Sequence, residues 1–229
     1  QEMSIRNPHD IEYTKNAKNT HIDSHESYQD FNVIQDNLFD KSKSNRIGVL
    51  TDIHGMYEPT LAILEDMRRQ GITEIYSLGD NIGFGPNPHE VLELLREYNV
   101  KSIYGNHEIY SIDGMDALDE HMSSLSQHTV DQDKKRTDWT RKQLTDQDIE
   151  DIMKYDSKIV ITKGGKKITL VHSRKKDLYE KEGHFTKPEI DDDSIVIEGH
   201  EHFESEQKDN LKLRAVGMGF SGSDYGKAR

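Results

Sequence analysis

Apolar and polar positions alternate along the chain in a way that predicts elements from Arg46 onward. Arg46–Thr51 is an apolar run of strand length. From Glu58 to Gln70, Leu61, Leu64 and Met67 recur on one helical stripe, and Gly71 follows as a stop. Glu74–Leu78 is a second strand. Pro88 opens a second helix through Tyr98, with Val91, Leu92 and Leu95 facing inward. Val100–Tyr104 is a third strand. This β-α-β-α-β order predicts parallel strands joined by right-handed crossovers. Ser111–Ile152 is polar and helical by composition, and Asp138-Trp139 and Leu144 mark seams between two or three helices. Lys158–Val171 predicts a hairpin turning at Lys163-Gly164-Gly165, and strands follow at Ser194–Glu198 and Leu211–Gly217. The chain stops at Arg229, where a last strand is expected to be incomplete.

Residues 1–45 differ from the rest. They carry few apolar groups and many Asn, Asp, Ser, Lys and His, which predicts a flexible or loosely docked arm. Tyr28, Phe31, Ile34 and Leu38 stand at near-helical spacing, so one short docked helix stays open beside the flexible extension. The domain proper is residues 46–229, with a helical cap at about 111–152.

Composition narrows the function classes. The N-terminus shows no apolar signal segment, and no run approaches the ~20 apolar residues of a membrane span. The chain has no cysteine, so neither a disulfide framework nor a thiolate zinc site is available, and a cytoplasmic place is expected. A net charge of −13 argues against a nucleic-acid scaffold. It does not argue against a nucleotide-type substrate, because bound cations supply positive charge locally.

Five polar clusters sit where predicted strands run out: Asp52-Ile53-His54-Gly55, Gly79-Asp80-Asn81, Gly105-Asn106-His107-Glu108, His172-Ser173 and Gly199-His200-Glu201-His202. Asp52 and His54 are two apart, as are His200 and His202, so each pair can point to one face. Carboxylate oxygen, amide oxygen and imidazole nitrogen suit divalent Mn, Fe, Zn, Co or Ni. Asp80 has two oxygens and can bridge two ions. The flanking glycines fall where backbone must bend or approach closely. Any one cluster alone is ordinary turn chemistry, but five in this order imply a metal centre.

These clusters resemble the calcineurin-like metallophosphoesterase family, whose pattern is D-x-H, G-D, G-N-H-D/E, a lone H, and G-H-x-H in that order. The resemblance covers Arg46 to the C-terminus. The stretch Gly79-Asp80-Asn81-Ile82-Gly83-Phe84-Gly85-Pro86-Asn87-Pro88 is similar to the small prokaryotic phosphodiesterase-like branch. It lacks the phosphate-gripping arginine of the Ser/Thr protein phosphatases, although Glu108 matches their form of the third motif. The resemblance implies an α/β fold of two stacked mixed β-sheets flanked by helices, a four-layer sandwich. It implies two divalent metal ions, with Mn placed first and Fe, Zn, Ni or Co as alternatives. Asp52, His54, Asp80 and His202 would hold one, and Asp80, Asn106, His172 and His200 the other. His107 would serve the leaving-group side as acid in an in-line hydrolysis by metal-activated water. Two positions depart from the branch: Met56 after the first motif and Ser173 after His172. Arg174, followed by Lys175 and Lys176, is a candidate grip on substrate phosphate, with a solvated basic turn as the competing reading.

The function expected is therefore a dinuclear metal-dependent phosphoester hydrolase acting on small phosphoester or nucleotide-type substrates, as phosphodiesterase or phosphatase. A Ser/Thr protein phosphatase and a non-catalytic scaffold of the same fold are the alternatives.

Overall fold

A computed structural model describes residues 46–115, 126–174, 185–191 and 194–202, and the backbone of 205–207 and 212–214. The readings made for residues 1–45, for Lys175 and Lys176, and for 215–229 lie outside the described residues.

Strand β1 (Gly48–Leu50), helix α1 (Tyr57–Arg69), strand β2 (Ile75–Ser77), helix α2 (Pro88–Glu97) and strand β3 (Lys101–Ser102) follow the predicted order. The three strands pair in parallel as β1-β2-β3. Pro88 fixes the first turn of α2, where a missing N–H costs nothing. The stripes of both helices bury Leu64, Val91, Leu94 and Leu95 against Leu50 and Ile75, which seats α1 and α2 on the sheet.

Helix α3 (Asn106–Asp113) begins inside the third polar cluster, five residues before the expected helical segment. The cause is local: Glu108 turns back at 2.7 Å to accept the backbone N–H of Gly105, which satisfies a free donor at the helix start. Helices α4 (Gln127–Gln143) and α5 (Asp146–Ile152) follow among the described residues of the helical segment. The seam between them lies at Leu144-Thr145, where the Thr145 hydroxyl caps α5 by accepting from the Asp148 N–H. Asp138-Trp139 is no seam. It lies within α4, and Trp139 is 44% exposed.

Strands β4 (Lys158–Lys163) and β5 (Lys166–Val171) form the predicted hairpin. Its two-residue turn, Gly164-Gly165, has both φ angles positive, the geometry that matches strand twist. With β6 (Ile195–Glu198), β7 (Ser205–Gln207) and β8 (Lys212–Arg214) they make a mixed sheet ordered β4-β5-β6-β8-β7. Strand β7 carries no alternating apolar pattern and was not legible in advance. The first sheet is parallel throughout and the second is mixed. Tyr76, Leu78 and Ile103 of the first pack on Leu170, Ile159, Ile161 and Ile197 of the second, so the sheets stack through an apolar layer. Among the described residues no helix is long and apolar enough to cross a membrane.

Candidate metal centre

The five clusters meet at the carboxyl ends of the parallel strands. The loops after β1 and β2 are zipped together by backbone: Asp52 N–H donates to Gly79 O at 3.1 Å, His54 N–H to Asp80 O at 2.8 Å and Gly55 N–H to Asn81 O at 2.8 Å. From the second sheet, Gly199 N–H donates to His172 O at 3.0 Å, and His200 N–H reaches Asp52 Oδ2 at 3.0 Å. Gly79, at φ 91°, lets the chain pass so close to Tyr104 and Gly105 that any side chain would strike their backbone.

The ligand candidates hold unusual backbone. Six non-glycine residues among those described have positive φ, and five of them are Asp52, His54, Asp80, His200 and His202, at 51–70°. The left-handed region is uncommon for non-glycine residues and persists where surrounding contacts enforce it. Hydrogen bonds to the backbone of Asp52, His54, Asp80 and His200 supply that enforcement at four of the five.

The side chains converge in three groups, each with its ligand atoms within 4.8 Å of one another: Asp52 with His54 and His202; His54 with Asp80 and His107; Asp80 with His172 and His200. Asp80 joins two of them. Its Oδ1 accepts the backbone N–H of His107 at 2.8 Å, while Oδ2 lies 3.9 Å from His54 Nε2 and 3.4 Å from His172 Nε2. Asn106 Oδ1 stands 3.0 Å from both His172 Nε2 and His200 Nδ1. His202 Nε2 lies 3.2 Å from Asp52 Oδ1 and 3.2 Å from His54 Nε2.

The electron pairs in this cluster test whether a cation belongs there. His54 Nδ1 faces the Ile82 carbonyl at 3.2 Å and His172 Nδ1 faces the Leu78 carbonyl at 2.9 Å. A carbonyl only accepts, so both Nδ1 atoms carry hydrogen, and in the neutral rings both Nε2 atoms carry lone pairs. Those lone pairs point at Asp80 Oδ2, Asn106 Oδ1 and the His202 ring, which are themselves acceptors or ring nitrogens. A buried gathering of acceptors around a short gap is stabilised by protons or by cations. The donor set therefore fits divalent metal.

The charges respond accordingly. Burial works most strongly against ionising Asp80, but the imidazoles of His172, His107 and His54 together, with the His172 hydrogen bond, outweigh it and hold Asp80 well below the usual carboxylate range. Burial likewise disfavours protonated His172, yet Asp80 beside it pushes that ring up to about 9. Burial brings His107 down to about 3 against the pull of Asp80, and His200 down to about 4. The fields acting on Asp52 and Asp80 come chiefly from imidazoles rather than from Lys or Arg.

His107, assigned to the leaving-group side, comes within ligand reach of His54 and Asp80. Its ring meets His54, Phe84 and Tyr110 at 4.7, 4.8 and 5.5 Å between centroids. Arg174 is joined fork to fork with Glu198: Nε donates at 2.7 Å and one terminal nitrogen at 2.9 Å. This pair steadies the end of β6, next to Gly199-His200.

Sequence reasoning missed two supports. The Thr51 hydroxyl donates to Asp52 Oδ2 at 2.7 Å, and Glu108 ties the second motif to the third through three backbone N–H groups. The third-motif pattern named Glu108, but its partners lie too far along the chain to be inferred from spacing.

Comparison with known proteins bears on the family and the fold. The sequence profile of the calcineurin-like phosphoesterase superfamily domain matches residues 46–223. An uncharacterised protein of Methanocaldococcus jannaschii is 30% identical over 176 residues, covering 73% of this chain and 67% of that one. Among solved structures, a metallophosphoesterase from Sphaerobacter thermophilus superposes with a TM-score of 0.50 at 21% identity, covering 76% of each chain. A hypothetical protein from Pyrococcus horikoshii does so with a TM-score of 0.53 at 18% identity, covering 76% of this chain and 77% of that one. The chain thus belongs to the calcineurin-like phosphoesterase superfamily and is a metal-dependent phosphoesterase.

Proposed function

We propose that the protein hydrolyses small phosphodiesters or phosphomonoesters with two divalent cations, Mn before Fe, Zn, Ni or Co. Asp52, His54, Asp80 and His202 would hold one ion, and Asp80, Asn106, His172 and His200 the other. One observation carries this reading: Asp80 Oδ2 lies between the imidazoles of His54 and His172 while Oδ1 is taken by the His107 N–H. A carboxylate pinned by one oxygen and flanked by nitrogens at the other supports the shared role proposed for Asp80.

Bound cations would supply the charge that polarises phosphoryl oxygens and lowers the pKa of water. The chain's own groups do the rest. Asn106 presents an amide oxygen without adding negative charge. The backbone N–H of His107 orients Asp80, and the His107 ring faces the side from which a leaving group departs. With burial holding it near 3, that ring is a neutral hydrogen-bond donor before substrate arrives. An oxyanion beside it raises its proton affinity and brings it toward the acid role. Arg174 is given a supporting place through Glu198, next to the fifth cluster. The missing phosphate-gripping arginine disfavours the protein-phosphatase reading, and a complete set of donors disfavours a scaffold.

The test is a panel of bis-p-nitrophenyl phosphate, p-nitrophenyl phosphate and cyclic nucleotides, run on chelator-stripped protein with each divalent metal added back. Metal-dependent turnover of at least one ester is expected. Failure with every metal would overturn the hydrolase reading.

A further inference from the structure

Beside the metal ligands lies a cavity of about 120 Å³, walled at its inner end by Asn106 and His107. Phe84 and Tyr110 give it apolar sides, and α4 supplies Asp133 and Arg136. Its volume suits one flat ring, with Arg136 on the wall to meet a small anionic substituent of that ring. A phosphoester seated with its phosphorus among the ligands and its leaving group toward His107 would direct that group into this space.

The α4 wall is fixed relative to the reacting centre. The Thr140 hydroxyl, buried, donates to the Gly83 carbonyl at 2.8 Å, which ties α4 to the loop carrying Asp80. The Arg136 guanidinium stands 4.7 Å from the centroid of the Phe84 ring, within cation–π reach. Asp133, one helical turn back, pairs with the same guanidinium. Phe84 in turn packs edge-on against His54 at 4.9 Å and tilted against His107 at 4.8 Å. Among the described residues, Arg136 is thus the Lys or Arg that lines this cavity in a chain of net charge −13, and it is held from two sides before any ligand arrives.

Resting on the hydrolase reading above, we propose that Arg136 is the specificity residue of a leaving-group subsite. It favours esters whose leaving group joins a flat ring to an anionic group of its own. The ring lies along Phe84 and Tyr110, and the guanidinium fork turns from Asp133 to the incoming anion. Asp133 competes for Arg136 and so tempers the preference for charge.

The experiment compares two chromogenic esters on Mn-loaded protein: methyl 4-nitrophenyl phosphate and methyl 3-carboxy-4-nitrophenyl phosphate. The quantity read is the ratio of kcat/KM for the charged ester over the neutral one, which cancels general damage to catalysis. Arg136→Gln should lower this ratio about 5- to 10-fold, a discounted value because the side chain is half exposed. The change should fall mainly on KM, with partial recovery in Arg136→Lys. Asp133→Asn should raise the ratio. Calorimetric titration with phenylphosphonate and 4-carboxyphenylphosphonate should show the same ordering without turnover. Equal ratios in wild type and Arg136→Gln would overturn the subsite alone. A wild type that turns over neither ester, with any divalent metal, would overturn the hydrolase reading and the subsite with it.

Discussion

Glu108 Oε2 accepts the backbone N–H of Asp80 at 2.9 Å, across 28 residues of sequence. The same oxygen takes Gly105 N–H at 2.7 Å, and Oε1 takes Asn81 N–H at 2.8 Å. Glu108 is fully buried, and burial together with Asp80 pushes it up to about 7 despite these donors. Its effect is to hold the loop of Asp80 against the start of α3, and so to set Asp80 relative to Asn106. In Glu108→Gln the new amide group must face a backbone donor. The variant should fold with a Tm lowered by a few degrees, since one orphaned buried donor costs about 1–3 kcal/mol. Divalent metal affinity should fall roughly 10- to 100-fold, as when a group supporting a ligand is lost. Thermal melts and metal titration check both, and wild-type affinity would remove Glu108 from the site.

Asp80 is the group both proposed ions share. Elemental analysis of Mn-loaded, desalted protein should approach two equivalents per chain, and Asp80→Ala should lose both. A single tight ion that survives Asp80→Ala would leave only a mononuclear site.

His107→Ala should keep its metal and lose turnover by roughly 10²–10⁴-fold on a poor leaving group if proton donation dominates. A nitrophenolate leaving group, which needs less help, should recover part of that loss. Loss of metal in this variant would instead make His107 a ligand, in line with its reach to His54 and Asp80.

Away from the site, Asp148 gathers Arg96 at 3.0 Å, His89 Nδ1 at 2.8 Å and the Thr145 hydroxyl at 2.7 Å, with its side chain fully buried. Burial opposes its charge, but the Thr145, His89 and Arg96 bonds outweigh it and lower its pKa below the usual value. A depressed folded pKa means the stabilisation is present above about pH 4, the unfolded value, and is lost as pH falls further. Asp148→Ala should cost about 2–3 kcal/mol at neutral pH, mostly by stranding partners and removing part of the α5 cap. The difference from wild type should shrink below pH 4. Denaturant melts at pH 3 and pH 7 measure it, and an equal difference at both would refute the assignment.

How much of this was legible in the sequence depends on the range of each interaction. Leu64 and Leu95 are buried as their stripes require, because burial of one helix face is encoded within the helix itself. The hairpin over Lys158–Val171 was legible because two glycines suffice for its turn. The five clusters marked the site because donor chemistry is carried by residue type. The start of α3 at Asn106 was missed because the cap depends on Glu108 folding back on Gly105, which composition does not announce. The bond of Glu108 to Asp80 and that of Arg174 to Glu198 span 28 and 24 residues, so no local pattern contains them. The stacking of Arg136 on Phe84 is hidden for the same reason: α4 reads as a solvated face until it is laid against the second motif.

The donors come from both sheets and from opposite ends of the described chain, with His202 and Asp52 meeting across 150 residues. During synthesis the centre therefore cannot exist until nearly the whole domain has left the ribosome. The early half emerges with Asp52, His54, Asp80 and Asn106 but without the three later imidazoles. That half carries both carboxylates, Asp52 and Asp80, and lacks most of the imidazoles that face them in the folded chain. Only when β5 and β6 dock does His172 close one wall and the His200–His202 loop the other. On the proposed ligand set, an ion held there would join two parts of the chain made at different times, and chelation should therefore loosen the packing of the second sheet on the first.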